Sequence, residues 1–531
     1  MSRRLRSTVR LAWALSLAAC TSSRPELDLV LAGGTVVDGT GAPGQRADVG
    51  VRDGRITAIG DLASASARER LDVTGLVVAP GFIDPHTHAR ERLLTIPTAD
   101  NLVRQGITTV VDGNDGSSPL PLAPYLDSLA AARPALNVGL FVGHGSIRRA
   151  VLGTDNREAS AAELARMDSL TGAAMRDGAL GLSSGLFYVP GSYAPTSELV
   201  ALARTARAHG GIYTSHMRNE DDSVRASVDE TLRIARESGI AVHISHHKVG
   251  GRRNYGRTEQ TLAMMEQARA EGLDVTFDQY PYTASHTSIS SIVPAWARAN
   301  DSLAARLRDA TLRSRIRREM QAFVEMRFAN DPEKLQLSRC GFDSTLAGQT
   351  LAAVFRARGV TGTPDAITDL ILELVDRGGC GAIFHSFDEG DIERLLRSPL
   401  GMIGSDGALS AFGQDSPHPR GYGTYPRVLG RYVRERGVIT LEEAIRRMTS
   451  APADRLGFAG RGRVVTGAVA DLVVFDPGLV TDRATFEDPH QYPVGIPHVF
   501  VAGVAVVRDG AVTGARPGTI LRGPGAGRGD R

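Results

Sequence analysis

Residues 212–246 read IYTSHMRNEDDSVRASVDETLRIARESGIAVHISH. Two short apolar runs, Ile212-Tyr213-Thr214-Ser215-His216 and Val242-His243-Ile244-Ser245-His246, flank a stretch, 224–238, whose apolar residues recur every three to four positions. The runs have the texture of strands and the stretch that of an amphipathic helix, so the span predicts a parallel βαβ unit. The unit repeats outward in both directions. Apolar runs end at Asp84, Val111, Val142, Leu182, Ser215, Ser245, Phe277 and Ser405, with helical stretches such as 197–209 between them. Eight alternations over about 380 residues predict an α/β fold, a TIM-type (β/α)8 barrel in preference to an open doubly wound sheet. Ala382-Ile383-Phe384-His385 is a ninth candidate strand, one too many for the barrel.

Around this centre the texture changes. From 27 to 80 and again from 463 to 515 the chain reads as short β segments broken by glycine turns, which predicts one small sandwich-like β domain built from both chain ends. The barrel is expected over 81–462, interrupted by a charged helical insertion at about 289–345. The Gly/Pro/Arg-rich stretch 516–531 is expected to be disordered. At the other end, MSRRLRSTVRLAWALSLAAC has a basic stretch followed by a short apolar run, Leu11 to Ala19, too short to span a bilayer. Residues 1–19 therefore read as a signal peptide, and Leu17-Ala18-Ala19-Cys20 resembles a bacterial lipoprotein box. Cys20 becomes the expected lipidated residue and 20–26 a tether, with the chain facing the periplasm or cell surface and touching membrane only through that anchor.

Composition narrows the function. The 531 residues carry 61 basic and 59 acidic side chains, a formal charge of +2. Nucleic-acid binders usually concentrate a basic excess, so nucleic acid is not an expected partner. Only Lys248 and Lys334 are lysines; the bias toward arginine is that of codon usage, yet it leaves lysine chemistry two candidates. The three cysteines, Cys20, Cys340 and Cys380, are too few for a disulfide framework or a Cys-rich zinc module; Cys340 and Cys380 can form at most one bridge.

In barrels of this type chemistry gathers where strands end. There, Gly81-Phe82-Ile83-Asp84-Pro85-His86-Thr87-His88 sets two histidines at i and i+2, on one side of extended chain. His216 and His246 close the runs quoted above, and Asp406 closes Met402-Ile403-Gly404-Ser405-Asp406. Four imidazoles and a carboxylate at strand ends predict a metal site, with zinc the best-suited common ion. Zinc would acidify a bound water and polarise a carbonyl, and Asp406 could take the water proton and return it to a leaving amine. That combination suits amide hydrolysis.

The chain resembles the N-acyl-D-amino-acid deacylases (D-aminoacylases) of the amidohydrolase superfamily. The resemblance rests on GFIDPHTH (81–88), GITTVVDGNDG (106–116), GHGSIR (143–148), ALGLSSGLFYVPGSYA (179–194), YTSHMRNE (213–220), VHISHHK (242–248), YPYTA (280–284), IGSDG (403–407) and HPRGYGTYPRVLG (418–430). It implies that His86, His88 and Asp406 line one metal position and His216 and His246 the other, with one or two Zn2+ bound. The family has a cysteine ligand in a GNCG segment where other amidohydrolases use a carboxylated lysine. Here the segment reads Gly113-Asn114-Asp115-Gly116, so Asp115 either ligates or bridges as a harder donor, or ligation there is lost. The resemblance also implies that Lys248, Tyr282 and Arg420 grip the free carboxylate of a small-molecule substrate. His144 either supports the site or is a structural histidine.

The expected activity is zinc-dependent hydrolysis of the amide bond of N-acyl-D-amino acids. A dipeptidase for L-X–D-X dipeptides would use the same clamp. A cyclic-amide hydrolase of hydantoinase or dihydroorotase kind would share the metal site but lacks its usual lysine. An inactive lipid-anchored binding protein is opposed by the intact ligand set.

Overall fold

The computed structural model describes residues 26–527. The signal-peptide, tether and lipidation expectations for 1–19, most of 20–26 and Cys20 lie outside the described residues. Eight strands form the central barrel: β1 (Phe82–Asp84), β2 (Ile107–Asp112), β3 (Asn137–Leu140, continued by Val142–Gly143), β4 (Gly181–Gly185), β5 (Ile212–His216), β6 (Val242–Ile244), β7 (Val275–Gln279) and β8 (Gly401–Ile403). Neighbours pair in parallel, in chain order. Strands buried on both faces read as unbroken apolar runs, and β2 (ITTVVD) is buried at every position.

The ring closes between β8 and β1 just beyond the strands themselves. Gly407–Ala408 pairs in parallel with Thr87–His88, and the Asp406 amide donates to the His86 carbonyl at 2.8 Å. Below this, the buried Tyr425 hydroxyl bridges the carbonyls of Ile83 (3.2 Å) and Ile403 (3.1 Å). Closure thus sets the histidines after β1 against the aspartate after β8.

The surrounding helices follow the periodicity. Helix Val224–Ser238 buries Val224, Val228, Leu232 and Ala235 on one stripe and ends at Gly239, whose φ of 71° is a conformation glycine adopts without steric cost. Both chain ends share a second unit. Val77–Pro80 pairs antiparallel with Leu472–Phe475, and this sheet faces the sheet of Leu27–Ala32, Asp48–Arg52, Arg55–Gly60 and Ala67–Asp72 across Leu31, Val49, Ile56, Val78 and Val474.

Two boundaries differ from expectation. The insertion between β7 and β8 does not stop at 345. Its antiparallel sheet joins Ala284–Ser288, Cys380–His385 and Leu335–Cys340, with a core of its own running from Ile289 to Phe384. The ninth strand belongs here, which removes the surplus from the barrel count. Cys340 and Cys380 are disulfide-bonded across two of these strands. Replacing both by alanine is expected to destabilise the insertion by about 2–4 kcal/mol, read as an earlier thermal transition with the barrel transition retained. The second difference is the tail. Instead of being disordered, Ile520–Leu521 adds in parallel to Val138–Gly139, and the Thr519 amide and hydroxyl donate to Asn137 Oδ1. Its glycines serve close approach, since a Cβ at Gly518 would lie 2.0 Å from the Leu136 carbonyl oxygen. No helix among the described residues is long and apolar enough to cross a membrane.

Candidate metal centre

The carboxyl ends of five strands converge on one cavity of about 470 Å³. His86 and His88 follow β1, Asp115 follows β2, His216 ends β5, His246 follows β6 and Asp406 follows β8. Three of them, Asp115, His246 and Asp406, have φ of 54°, 36° and 48°. Left-handed backbone at non-glycine residues costs about 1–3 kcal/mol each and persists where surrounding contacts enforce it. For Asp115 the enforcement is visible: Gly116 packs so closely that a Cβ there would meet the Gly185 amide nitrogen at 2.7 Å.

The donor atoms face one another. Asp115 Oδ1 lies 3.6 Å from His86 Nε2 and 3.4 Å from His246 Nε2. Its Oδ2 lies 3.5 Å from His88 Nε2 and 3.7 Å from His216 Nδ1. Asp406 Oδ1 lies 3.0 Å from His88 Nε2 and 3.6 Å from His86 Nε2. Ligands held at about 2.0–2.2 Å around a tetrahedral ion stand about 3.3–3.6 Å apart, the same scale. Two groups emerge, His86/His88/Asp115/Asp406 and Asp115/His216/His246, with Asp115 common to both. Among the described residues no hydrogen bond satisfies His86 Nε2, His216 Nδ1, His246 Nε2 or Asp115 Oδ1. Buried lone pairs aimed at a shared centre and otherwise unpartnered fit a metal ion.

Burial pushes the Asp115 carboxyl up, but His246 and His86 outweigh it and hold the group well below the usual carboxylate range. Burial likewise opposes ionisation of Asp406, and Arg420 and His86 again reverse the balance. Both groups therefore stay anionic, as ligation requires.

The groups behind the ligands were less legible. Asp278, at the end of β7, places Oδ2 at 3.4 Å from His86 Nδ1 and 2.9 Å from His243 Nε2, and its Oδ1 accepts from the His246 amide. It stands 3.4 Å from the His86 nitrogen turned away from the cluster, the side from which a carboxylate can orient a ligand imidazole. Its position closing a predicted strand was the available signal. His144 pairs with Glu198 (2.8 Å) behind the cavity wall, where Arg148 also meets Glu198; it is not among the donors. His247 bonds Thr261, and His385 bonds Gln336 within the insertion.

Lys248 and Arg420 line the same cavity as the donors. The Arg420 guanidinium carbon sits 4.6 Å above the Tyr280 ring and Lys248 Nζ lies 5.9 Å from that ring. Arg420 Nη1 also contacts Asp406 Oδ2 at 2.7 Å. Tyr282 is not brought to this group. Its hydroxyl turns to Asp482 (3.5 Å) and its ring stacks under Arg427. Tyr280, two residues earlier, faces Lys248 and Arg420, and its hydroxyl has no hydrogen-bond partner among the described residues. Alternation along an extended chain gives both tyrosines the same side, so only the packing of the loop separates them. Accordingly Tyr280→Phe is expected to raise KM about 10-fold or more in steady-state kinetics, as for a hydrogen bond to a charged group; Tyr282→Phe moves it less.

A model of the amidohydrolase family matches residues 69–507. The chain is 40% identical to the D-aminoacylase of Alcaligenes xylosoxydans xylosoxydans over 94% of this chain and 98% of that one. It is 41% identical to the N-acyl-D-glutamate deacylase of the same organism, over 94% and 97%. The solved N-acyl-D-glutamate deacylase of Bordetella bronchiseptica, complexed with zinc and a phosphonate mimic of the tetrahedral intermediate, superposes with a TM-score of 0.80 at 39% identity, covering 93% of this chain and 99% of that one. Barrel, donor set and kinship together define a metal-dependent amidohydrolase. Within that class the chain belongs to the N-acyl-D-amino-acid deacylase (D-aminoacylase) family.

Proposed function

We propose that this chain hydrolyses the amide bond of N-acyl-D-amino acids in a zinc-dependent reaction. One observation carries the reading: Lys248 and Arg420, both set against the ring of Tyr280, line the same cavity as the metal donors His88, Asp115, His216, His246 and Asp406. A substrate whose α-carboxylate is held there by charge-assisted bonds presents its acyl amide toward the donors. Zinc is supported by the nitrogen and oxygen donor set and by the zinc-bound relative. When bound, the ion supplies Lewis acidity and a water acidified toward neutral pH. Asp406 stands beside the cluster as the proton acceptor and returns the proton to the leaving amine nitrogen. Arg420, which contacts its second oxygen, fixes the carboxylate orientation. Among the described residues the one lysine in the cavity, Lys248, serves the clamp.

The test is a panel of N-acetyl-D- and N-acetyl-L-amino acids, L-X–D-X dipeptides and cyclic amides, assayed with zinc, after chelation and after zinc is restored. Zinc-dependent turnover confined to N-acyl-D substrates is expected. Turnover of cyclic amides with D-configured acyl substrates untouched would refute the assignment.

The same proposal places the enzyme outside the cytoplasm, anchored through a lipid on Cys20. The basic and apolar leader supports it, as does the Cys340–Cys380 disulfide, a bond that persists in oxidising compartments. Metabolic labelling with a radiolabelled fatty acid is expected to mark the wild type and not Cys20→Ala; an unlabelled wild type excludes the anchor.

A further inference from the structure

We infer that Glu220 is a positioning residue that couples the His216/His246 metal ligands to the anion clamp at Lys248. The inference rests on the reading of the cluster as a metal centre with an adjacent carboxylate clamp. Glu220 lies in the segment leaving β5, four residues after His216, and is 5% exposed. Its own carbonyl accepts from the Gly250 amide at 2.8 Å, which pins the segment to the one carrying Lys248.

The side chain has three cationic or imidazole neighbours. Oε1 accepts from Lys248 Nζ at 2.8 Å and lies 3.2 Å from His246 Nδ1, while Oε2 lies 3.8 Å from His216 Nε2. These are the ring nitrogens opposite to those facing Asp115, namely His246 Nε2 and His216 Nδ1. A carboxylate on the far nitrogen of a ligand imidazole fixes its tautomer and ring plane. Here Oε1 stands at that nitrogen of His246, while Oε2 stands further off from that of His216, at 3.8 Å.

His246 Nδ1 has a second neighbour, since Lys248 Nζ also lies 2.8 Å from it. The two contacts exclude one another. Nδ1 can accept from the ammonium only when it carries no proton, and a neutral ring then holds its proton on Nε2, the nitrogen turned to the cluster. When Nδ1 carries the proton and donates to Glu220, the Nε2 lone pair is free for a metal. Lys248 and Glu220 thus favour opposite tautomers of one ligand. A substrate carboxylate that draws the ammonium away leaves Nδ1 to Glu220, so anion capture and metal ligation reinforce each other.

The experiment is calorimetric titration of Zn2+ into chelator-stripped full-length protein, for wild type, Glu220→Gln, Glu220→Asp and Lys248→Met, with folding of each checked by circular dichroism and thermal melting. Glu220→Gln is expected to weaken zinc binding about 10–100-fold at one of two steps, and Glu220→Asp to recover part of that loss. Lys248→Met is expected to bind zinc about 2–10-fold more tightly, because the competing donor on His246 Nδ1 is gone. A merely structural role would weaken binding in every variant. Wild-type affinity in Glu220→Gln, or zinc binding in Lys248→Met no tighter than wild type, overturns the inference; should Glu220→Gln fail to fold, the lysine variant alone decides. A wild-type protein that binds no zinc refutes the metal-centre reading instead.

Discussion

Asp406→Asn is expected to fold, to retain its metal and to lose about 10²–10⁴-fold in kcat, the range that a positioned general acid–base contributes. The two oxygens of Asp406 have separate partners. Oδ1 faces His86 and His88, and Oδ2 meets Arg420 at 2.7 Å. Asparagine keeps the shape and one oxygen for the histidine side, so the remaining donors His86, His88 and Asp115 still hold an ion. What it cannot do is accept a proton from water and pass it to the departing amine. It also leaves the buried Arg420 without its anion, which adds a binding defect visible as a rise in KM. Metal content measured by inductively coupled plasma mass spectrometry, alongside kcat and KM, separates the two. Metal retained with kcat within about 10-fold of wild type would remove Asp406 from proton transfer.

The second large effect is expected at position 115. Asp115 is the one residue shared by both donor groups, and its oxygens lie 3.4–3.7 Å from four different imidazoles. Asp115→Ala takes a donor from each group at once. The His216/His246 position is left with two protein ligands and the other with three. Changes to groups that merely support ligands cost 10–100-fold in metal affinity, so loss of a shared ligand is expected to cost more than about 100-fold at the first of these positions. Equilibrium dialysis against a zinc buffer, read as bound zinc per chain, should show at most one ion and proportionate loss of activity. Metal content equal to wild type would show that Asp115 does not ligate. The substitution also removes the anion that faces the buried His86, His216 and His246 and the partly exposed His88, so the metal-free variant should melt at lower temperature than metal-free wild type.

Both predictions start from residues legible without coordinates. A strand that must be buried on both faces announces itself as an apolar run, and Ile107–Asp112 and Ile212–His216 did so. A barrel places function at strand ends, so the polar residue closing each run was a candidate before any distance was measured. His86, His88, His216, His246 and Asp406 were legible because each is tied to its strand by no more than a few residues of chain. Legibility weakened as the chain left the strands. The tyrosine pair 280 and 282 lies in a loop, where register rests on Asp482 and Arg427 far away in sequence. Glu220 carried no strand-end signal of its own, and two of its three neighbours, His246 and Lys248, come from the segment after the next strand.

The tail and the insertion make the same point. The glycine and proline of the tail suit a disordered chain, and they suit equally a chain laid against Leu136 and Ala179, where a Cβ at Gly518 or Gly523 would collide. Composition cannot separate these, since the deciding contact lies hundreds of residues away. Cys380–His385 has the same apolar texture as a barrel strand, and only its antiparallel pairing with Leu335–Cys340 assigns it to the insertion. The sequence by itself therefore determined the repeating unit, the barrel and the kinds of donor at its rim, because helix and strand periods are local and burial imposes them residue by residue. The tertiary structure alone decided which donors share an ion, which tyrosine faces the clamp and which carboxylate stands behind the ligands. Those are matters of side-chain direction across non-neighbouring strands, fixed by ring closure and loop packing that no local period encodes.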